Sequence, residues 1–142
     1  MANASNIPDN RSITKFVEAL NQHDKVKIVS EDSDKYVLKI VLKSGIELRI
    51  RMTNIYCVGE ADVVEFLKDD PNLNVIVTLS SWNQVTSEAA FYGRLRKIGV
   101  FTWTEFFGSL NYNKYWLYEA MPNGLDQAKA NVERTRRRRA WN

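Results

Sequence analysis

Two groups of arginines in this chain could bind phosphate. In the first group, Glu47, Arg49 and Arg51 alternate along a predicted strand, so their side chains project from one face. A guanidinium can donate two parallel hydrogen bonds to a phosphate, which makes this face a candidate anion site. The alternative is a solvated or ion-paired sheet face on which Glu47 neutralises a neighbouring arginine. The sequence leaves both interpretations open.

The second group is the basic run near the C-terminus, formed by Arg136, Arg137, Arg138 and Arg139. The formal net charge of the 142 residues is +3, but residues 129–142 hold six basic residues and one acid, so the remainder carries −2. Such a run can neutralise several phosphates and give a salt-dependent affinity for DNA or RNA. Trp141 beside it could stack on a base. A solubilising chain end is the alternative interpretation.

Aromatic residues form two further candidate sites. Trp82 and Asn83 directly follow a predicted buried strand, which is where crossover folds place ligands. Trp82 could also simply cover the edge of the sheet. Four aromatic residues in 112–118 could form a stacking platform, a protein or homo-oligomer interface, or a folded-back segment over the last helix. They are Tyr112, Tyr115, Trp116 and Tyr118.

The chain offers little material for other site chemistry. His23 is the single histidine and Cys57 the single cysteine, which are too few ligands for a zinc site and leave no internal disulfide. We expect His23 to interact with a helix C-terminus. Nothing in the sequence brings it near Cys57 or a serine to form a nucleophile pair. Neither GxxxxGK[ST] nor GxGxxG occurs, so nucleotide-loop chemistry has no support.

Length and composition predict one soluble α/β domain. With 142 residues, 44% of them hydrophobic, the chain can bury a core of ordinary size. No apolar run approaches the roughly 18 residues that a membrane helix needs, and the first residues lack the pattern of a signal peptide. We expect a cytoplasmic protein that does not bind membranes, since the lone cysteine suits a reducing compartment.

The elements that would position the candidate residues fall into two halves. The first half predicts a flexible leader over 1–11, a helix over about 12–22 capped by Ser12, and strands over 25–29, 36–42 and 46–52. Their short connections require an antiparallel meander.

The second half predicts helices and strands in alternation, the parallel crossover arrangement. A helix over about 60–68 precedes a strand over 75–79 that is buried on both faces. Thr86 or Ser87 then caps a helix ended by Gly99, followed by a strand over 100–103 and a short helix from Thr104. The helix capped by Thr86 or Ser87 carries Ala90, Phe91, Leu95 and Ile98 on one apolar side. Residues 112–142 are expected to form an aromatic segment and a basic C-terminal helix and tail.

This order of elements resembles the PD-(D/E)xK, or restriction-endonuclease-like, nucleases, and within them the Mrr-type branch. The local match is the valine-rich strand from Val75 that ends in Thr78 and Ser80, the alanine-containing helix after Thr86, and the strand led by Gly99. The resemblance covers about residues 12–111. It implies a restriction-endonuclease-like core with a meander plus crossover strands.

In that family, an acid on one strand and a Glu-x-Lys on the next hold Mg²⁺, and the lysine orients water. By resemblance, Asp34 and Glu47 would be the metal ligands and Arg49 would stand at the lysine position; in a second register the pair is Arg49 and Arg51. Arginine stays protonated, so it cannot share a proton with water. We therefore expect no cofactor and no cleavage, with Mg²⁺ needed only if Asp34, Glu47 and Arg49 are catalytic after all.

Three hypotheses follow. The first is a catalytically degenerate nuclease-like domain that binds nucleic acid, or a complex that processes it, through Arg49, Arg51 and the terminal arginines. The second is a protein-interaction module (a regulatory subunit, adaptor or immunity-type inhibitor) that binds no nucleic acid. The third is an active Mg²⁺-dependent nuclease.

Overall fold

The computed structural model of the chain describes residues 6–119. Its helices are α1 (Asn10–Gln22), α2 (Glu60–Asp69), α3 (Ser87–Leu95) and α4 (Trp103–Ser109). Its strands are β1 (Val26–Glu31), β2 (Val37–Leu42), β3 (Glu47–Thr53), β4 (Cys57–Val58), β5 (Val75–Thr78), β6 (Gln84–Val85) and β7 (Gly99–Thr102). A 3₁₀ turn covers Tyr115–Leu117.

Five strands form one mixed sheet in the order β1-β2-β3-β5-β7. β1, β2 and β3 pair antiparallel, which confirms the predicted meander. β5 pairs parallel with β3, and β7 pairs parallel with β5, which confirms the crossover arrangement of the second half. The domain is therefore of mixed α/β class.

The two faces of this sheet are covered differently. On one face, Phe16 of α1 and Phe106 of α4 are fully buried against strand residues such as Ile40 and Ile50. On the other face, α2 and α3 cover β5 and β7 but leave the meander strands with exposed or half-buried side chains, Lys39 and Glu47 among them. All four residues of β5 are buried, as predicted for a central strand with helices on both faces.

The start of α1 differs from the prediction. Asp9, and not Ser12, is the N-cap residue: its Oδ1 accepts a hydrogen bond from the Ser12 backbone N–H at 2.7 Å. Upstream of the helix, Pro8 is buried and the Asn6 carbonyl accepts a hydrogen bond from the Asn54 N–H at 2.8 Å. The segment predicted as a flexible leader is thus packed against the domain from Asn6 onward.

The orientation predicted for α3 is wrong, although its cap is right. The Thr86 hydroxyl accepts from the Ala89 N–H at 3.1 Å. The helix buries Ala89 and Gly93, however, and leaves Phe91 and Leu95 with 58% and 66% of their surface exposed. A Cβ at Gly93 would lie 2.6 Å from the Ile98 carbonyl oxygen, so the missing side chain lets α3 approach β7 closely.

Two boundaries beyond α3 also differ from the prediction. Gly99 begins β7 and does not cap the helix; the left-handed residue of that turn is Lys97, with φ of 60°. Trp103 belongs to α4 and not to the preceding strand, because Thr102 caps the helix together with Glu105.

The short strands β4 and β6 were not predicted. They pair parallel, Cys57 with Gln84 and Val58 with Val85, and join the loop after β3 to the loop after β5. At the far side of the main sheet, β1 is an edge strand whose register shifts between Val26 and Ile28. Within residues 6–119, no helix is long and apolar enough to cross a bilayer.

Candidate functional site

One edge of the sheet brings together four of the residues that sequence analysis proposed, namely Asp34, Arg51, Trp82 and Asn83. The Met52 N–H donates to the Tyr36 carbonyl at 2.8 Å, so the turn between β1 and β2 lies beside the end of β3. Because β5 runs parallel to β3, its last residue lies at the same edge, Thr78 opposite Thr53. We name this region the carboxyl edge, meaning the end of the sheet at which the parallel strands finish, and define it as residues 32–36, 51–56 and 78–83.

Arg49 lies just inside this edge and is fully bound by carboxylates. Its Nη1 and Nη2 donate to the two oxygens of Asp32 at 3.1 and 3.2 Å, and its Nε donates to Asp70 at 2.7 Å. Its backbone N–H also donates to the side chain of Asn74 at 2.8 Å. Arg49 therefore joins the β1–β2 turn, β3 and the loop after α2.

These contacts shift the pKa values of both Asp32 and Arg49. The hydrogen bond from Arg49 lowers the pKa of Asp32, and the hydrogen bonds to Asp32 and Asp70 raise the pKa of Arg49. Both shifts favour the charged forms. The ion-paired interpretation of this face thus describes Arg49, but with Asp32 and Asp70 as its partners and not Glu47.

Arg51 lies two residues closer to the edge and is bound less completely. Its Nη1 donates to Asp34 Oδ2 at 3.3 Å, while its Nε is buried and has no acceptor among the described residues. Its ζ carbon lies 5.1 Å from the centroid of the Phe66 ring and 5.8 Å from that of Tyr36. Arg51 is therefore held mainly by aromatic rings.

The two residues implied as Mg²⁺ ligands by the family resemblance do not fit that role. Asp34 is bound to Arg51, whereas Glu47 lies opposite Val41, four residues back along β3. Four residues of antiparallel strand span roughly 13 Å, too far for carboxylates to share one ion. Among residues 6–119, no group of three potential ligands converges.

A network of amides and hydroxyls makes the carboxyl edge rigid. Asn83 is buried and its Nδ2 donates to Asn54 Oδ1 at 3.0 Å and to Thr78 Oγ1 at 2.8 Å. The Thr78 hydroxyl in turn donates to the Ile55 carbonyl at 2.7 Å, and Ser80 also donates to Asn54. Asn83 thus has a structural role that holds the loops after β3 and β5 together.

From these loops, two large aromatic side chains project into solvent. Trp82 is 71% exposed and Tyr56 is 61% exposed, so Trp82 does not cover the sheet edge. The loops that carry them hydrogen-bond to each other, Gln84 N–H to the Tyr56 carbonyl at 2.8 Å. Exposed aromatic residues on a rigid support are suited to stack on a planar ligand or to anchor a partner, because little conformational entropy is lost on binding.

The aromatic segment after α4 folds back on the domain. Tyr115 is 6% exposed, and Trp116 and Tyr118 pack against the main core. Tyr118 lies against Phe101, with ring centroids 6.5 Å apart, and its hydroxyl occupies the space beside Gly108. Trp116 and Tyr118 also line a cavity of about 170 Å³ between α3, β7 and α4, next to an ion pair of 2.7 Å between Arg94 and Glu119. The folded-back interpretation holds for these three residues, while Tyr112 is 38% exposed.

His23 is the C-cap residue of α1, and its expected contact with the helix dipole stays a prediction. Its backbone N–H donates to the Leu20 carbonyl, and its Nδ1 accepts from the Lys25 N–H at 3.1 Å. The basic residues 136–139, Trp141 and the predicted C-terminal helix lie outside the described residues.

Comparisons with family models, with curated proteins and with solved structures find no match for this chain. The resemblance to restriction-endonuclease-like nucleases therefore stays a prediction. The structure is an α/β domain whose carboxyl edge carries exposed aromatic residues, with two arginines of β3 bound to carboxylates.

Sequence analysis did not identify several residues that build this site. Asp32, Asp70 and Asn74 surround Arg49, and Asn54 and Tyr56 follow β3. A signal existed for the acids, since Glu31–Asp34 and Asp69–Asp70 are acidic turns directly beside predicted strands or helices.

Proposed function

We propose that the chain is a nucleic-acid-binding domain that does not cleave its ligand and that prefers single strands. Unpaired bases expose their faces, and stacking on an aromatic side chain stabilises binding by about 1–3 kcal/mol per base. In this proposal, Trp82 and Tyr56 contact bases, and Arg51 and the terminal arginines contact phosphates.

The observation that carries the proposal is the exposure of Trp82 and Tyr56, 71% and 61%, on loops fixed by the buried amide of Asn83. The loops that carry these two residues are held by a network of side-chain hydrogen bonds at the end of the parallel strands. Parallel sheets place ligands at this edge.

The order of elements supports a relation to the restriction-endonuclease-like fold. A meander of three antiparallel strands is followed by two parallel crossover strands, with helices on both faces of the central strand. In such a relative, the arginines at 49 and 51 replace the residues that would assist hydrolysis.

The test is fluorescence polarisation of labelled single-stranded and duplex DNA and RNA across a salt series, with and without Mg²⁺. We expect salt-sensitive binding, tightest for single strands, and a loss of about tenfold or more in Trp82→Ala. Phe91→Ala is the matched control, because it removes an exposed aromatic ring from α3 instead. Equal binding by both variants, or no binding by the intact protein, contradicts the proposal; product bands with Mg²⁺ would revive the nuclease hypothesis.

A second candidate, the protein-interaction module, is favoured by a different surface. Phe91 and Leu95 lie four residues apart on α3, so they form one exposed apolar stripe, 58% and 66% exposed. Apolar patches of this kind mark protein contacts more often than nucleic-acid contacts.

The two candidates separate cleanly by mutation. In the second, the double change Phe91→Ser and Leu95→Ser alters the oligomeric state or partner binding, measured by sedimentation, while oligonucleotide binding does not depend on Trp82. An unchanged sedimentation profile together with Trp82-dependent binding would count against it.

A further inference from the structure

The two arginines on β3 differ in how many of their donors are used. Arg49 donates to Asp70 and, through both Nη atoms, to Asp32. Among the described residues, Arg51 makes one side-chain hydrogen bond, of 3.3 Å to Asp34, and its buried Nε has no acceptor. A buried donor without a partner costs free energy. Hydrogen bonds therefore hold the Arg51 guanidinium less completely than that of Arg49.

Two aromatic rings also contact the Arg51 guanidinium. The guanidinium lies 5.1 Å from the centroid of Phe66 and 5.8 Å from that of Tyr36, within the range of cation–π attraction. The Lys35 ammonium lies 5.1 Å from the same Tyr36 ring. Two cations thus lie beside the same ring at the carboxyl edge, and a cation–π contact does not occupy an N–H donor that could bind an anion.

We propose that Arg51 and Lys35 form a phosphate subsite, and that Asp34 is a displaceable carboxylate that occupies it when no nucleic acid is bound. This inference rests on the proposed function and names the group that meets the ligand's backbone. Asp34 is 44% exposed and its contact with Arg51 is long, so replacing it sacrifices little. A phosphodiester offers charged oxygens in the geometry that a guanidinium prefers.

The same reasoning assigns Arg49 a different role. Each of its three nitrogens donates to one of two acids, so a phosphate would have to displace a carboxylate that is bound more closely than Asp34 is to Arg51. Arg49 is a structural residue that holds the β1–β2 turn, and with it Asp34 and Lys35, against β3. Only one of the two arginines is available to a ligand.

The test measures the affinity for fluorescein-labelled oligothymidylate. Asp34→Asn keeps the oxygen that accepts from the Tyr36 N–H at 2.9 Å, removes the charge, and replaces the oxygen that accepts from Arg51 with an NH₂ group. We expect this variant to bind about two- to fivefold more tightly, because the competing carboxylate is gone. Glu47→Gln is the control, because it removes one negative charge from β3, the strand that carries Arg51. The affinity of this variant should differ from that of the unaltered protein by less than about twofold. Arg51→Gln should bind about tenfold more weakly, with a salt slope shallower by about one.

A second measurement keeps the inference independent of the proposed function. Inorganic phosphate is titrated into the ¹⁵N-labelled intact protein while the arginine Nε–H resonances are followed by NMR. The Arg51 resonance should shift, more strongly in Asp34→Asn, and the Arg49 resonance should not. Oligonucleotide binding that is equal in Asp34→Asn and Glu47→Gln overturns the subsite and leaves the proposed function standing. Absence of any oligonucleotide binding overturns the proposed function, and the phosphate titration then decides the subsite alone, an unshifted Arg51 resonance refuting it.

Discussion

The Arg49 guanidinium and the Asp32 carboxylate face each other through two parallel hydrogen bonds, Nη1 to Oδ1 at 3.1 Å and Nη2 to Oδ2 at 3.2 Å. The third donor of the same guanidinium binds Asp70, which ends α2. One side chain in the middle of the sheet therefore joins two segments that lie 17 and 21 residues away along the chain. This arrangement predicts that Arg49 and Arg51, although similar in sequence context, differ in what they contribute.

Arg49→Gln should destabilise the domain more than Arg51→Gln does. The first change removes three charge-assisted hydrogen bonds and leaves two carboxylates without their partner, whereas the second removes one long hydrogen bond and two cation–π contacts. Urea unfolding followed by circular dichroism measures both variants. Equal midpoints for the two would contradict the structural role of Arg49.

The domain should lose stability as the pH falls, and the protonation of Asp32 should account for part of that loss. Its pKa is lowered in the folded state from an ordinary value of 3.8 because it accepts hydrogen bonds from Arg49. The ion pair therefore contributes fully above about pH 4 and is lost as the pH falls through the lower, folded-state pKa. We expect the free energy of unfolding to decline less steeply below pH 4 in Asp32→Asn. Parallel pH profiles for the two proteins would show that the pair contributes nothing to this decline.

Gly93→Ala should be destabilising by about 1–3 kcal/mol, because the added Cβ overpacks the α3–β7 contact. It would lie 2.6 Å from the Ile98 carbonyl oxygen and 2.8 Å from Val100 Cγ2, and the backbone oxygen cannot move aside easily. Gly59→Ala is the control, since its nearest atom is 3.6 Å away, and its cost should stay under about 1 kcal/mol. Denaturant unfolding that ranks the two in the opposite order would show that α3 shifts without cost.

Asn83→Ala and Trp82→Ala should separate stability from binding. Asn83 is buried, and its loss leaves Asn54 and Thr78 with fewer partners, so we expect a cost of about 1–3 kcal/mol. Trp82 is 71% exposed, and its truncation should change stability by less than about 0.5 kcal/mol. Thermal unfolding gives both values. If Trp82→Ala also destabilises strongly, its indole is part of the packing and not a free contact.

The sequence was sufficient to predict the elements of the main sheet, because period-two alternation and short turns leave few choices for a meander. It could not predict the orientation of α3. Phe91 and Leu95 are the larger apolar residues of that helix, yet Ala89 and Gly93 face the sheet, since a small residue allows a closer approach than a large one. Tertiary packing overrode the hydrophobic pattern.

The candidate site was predictable only in part. The period of two placed Arg49 and Arg51 on one face, but nothing local indicated that Asp32 and Asp70 would neutralise the first and not the second. The strands β4 and β6 are two residues each, too short to carry a period, and they nevertheless bring Tyr56 and Trp82 to one edge. Pairings between distant segments decide both features.

The edge strand β1 is also a surface on which a second copy of the chain could pair. An edge strand has a row of unpaired backbone donors and acceptors, and a strand of a second chain can pair with them and start a cross-β fibre. Here the register shift after Val26 interrupts that row, and the exposed charges of Lys27 and Glu31 would lie against an incoming strand. The shifted register and the two charged side chains thus disfavour edge-to-edge aggregation at high concentration, on the strand that leads into the carboxyl edge.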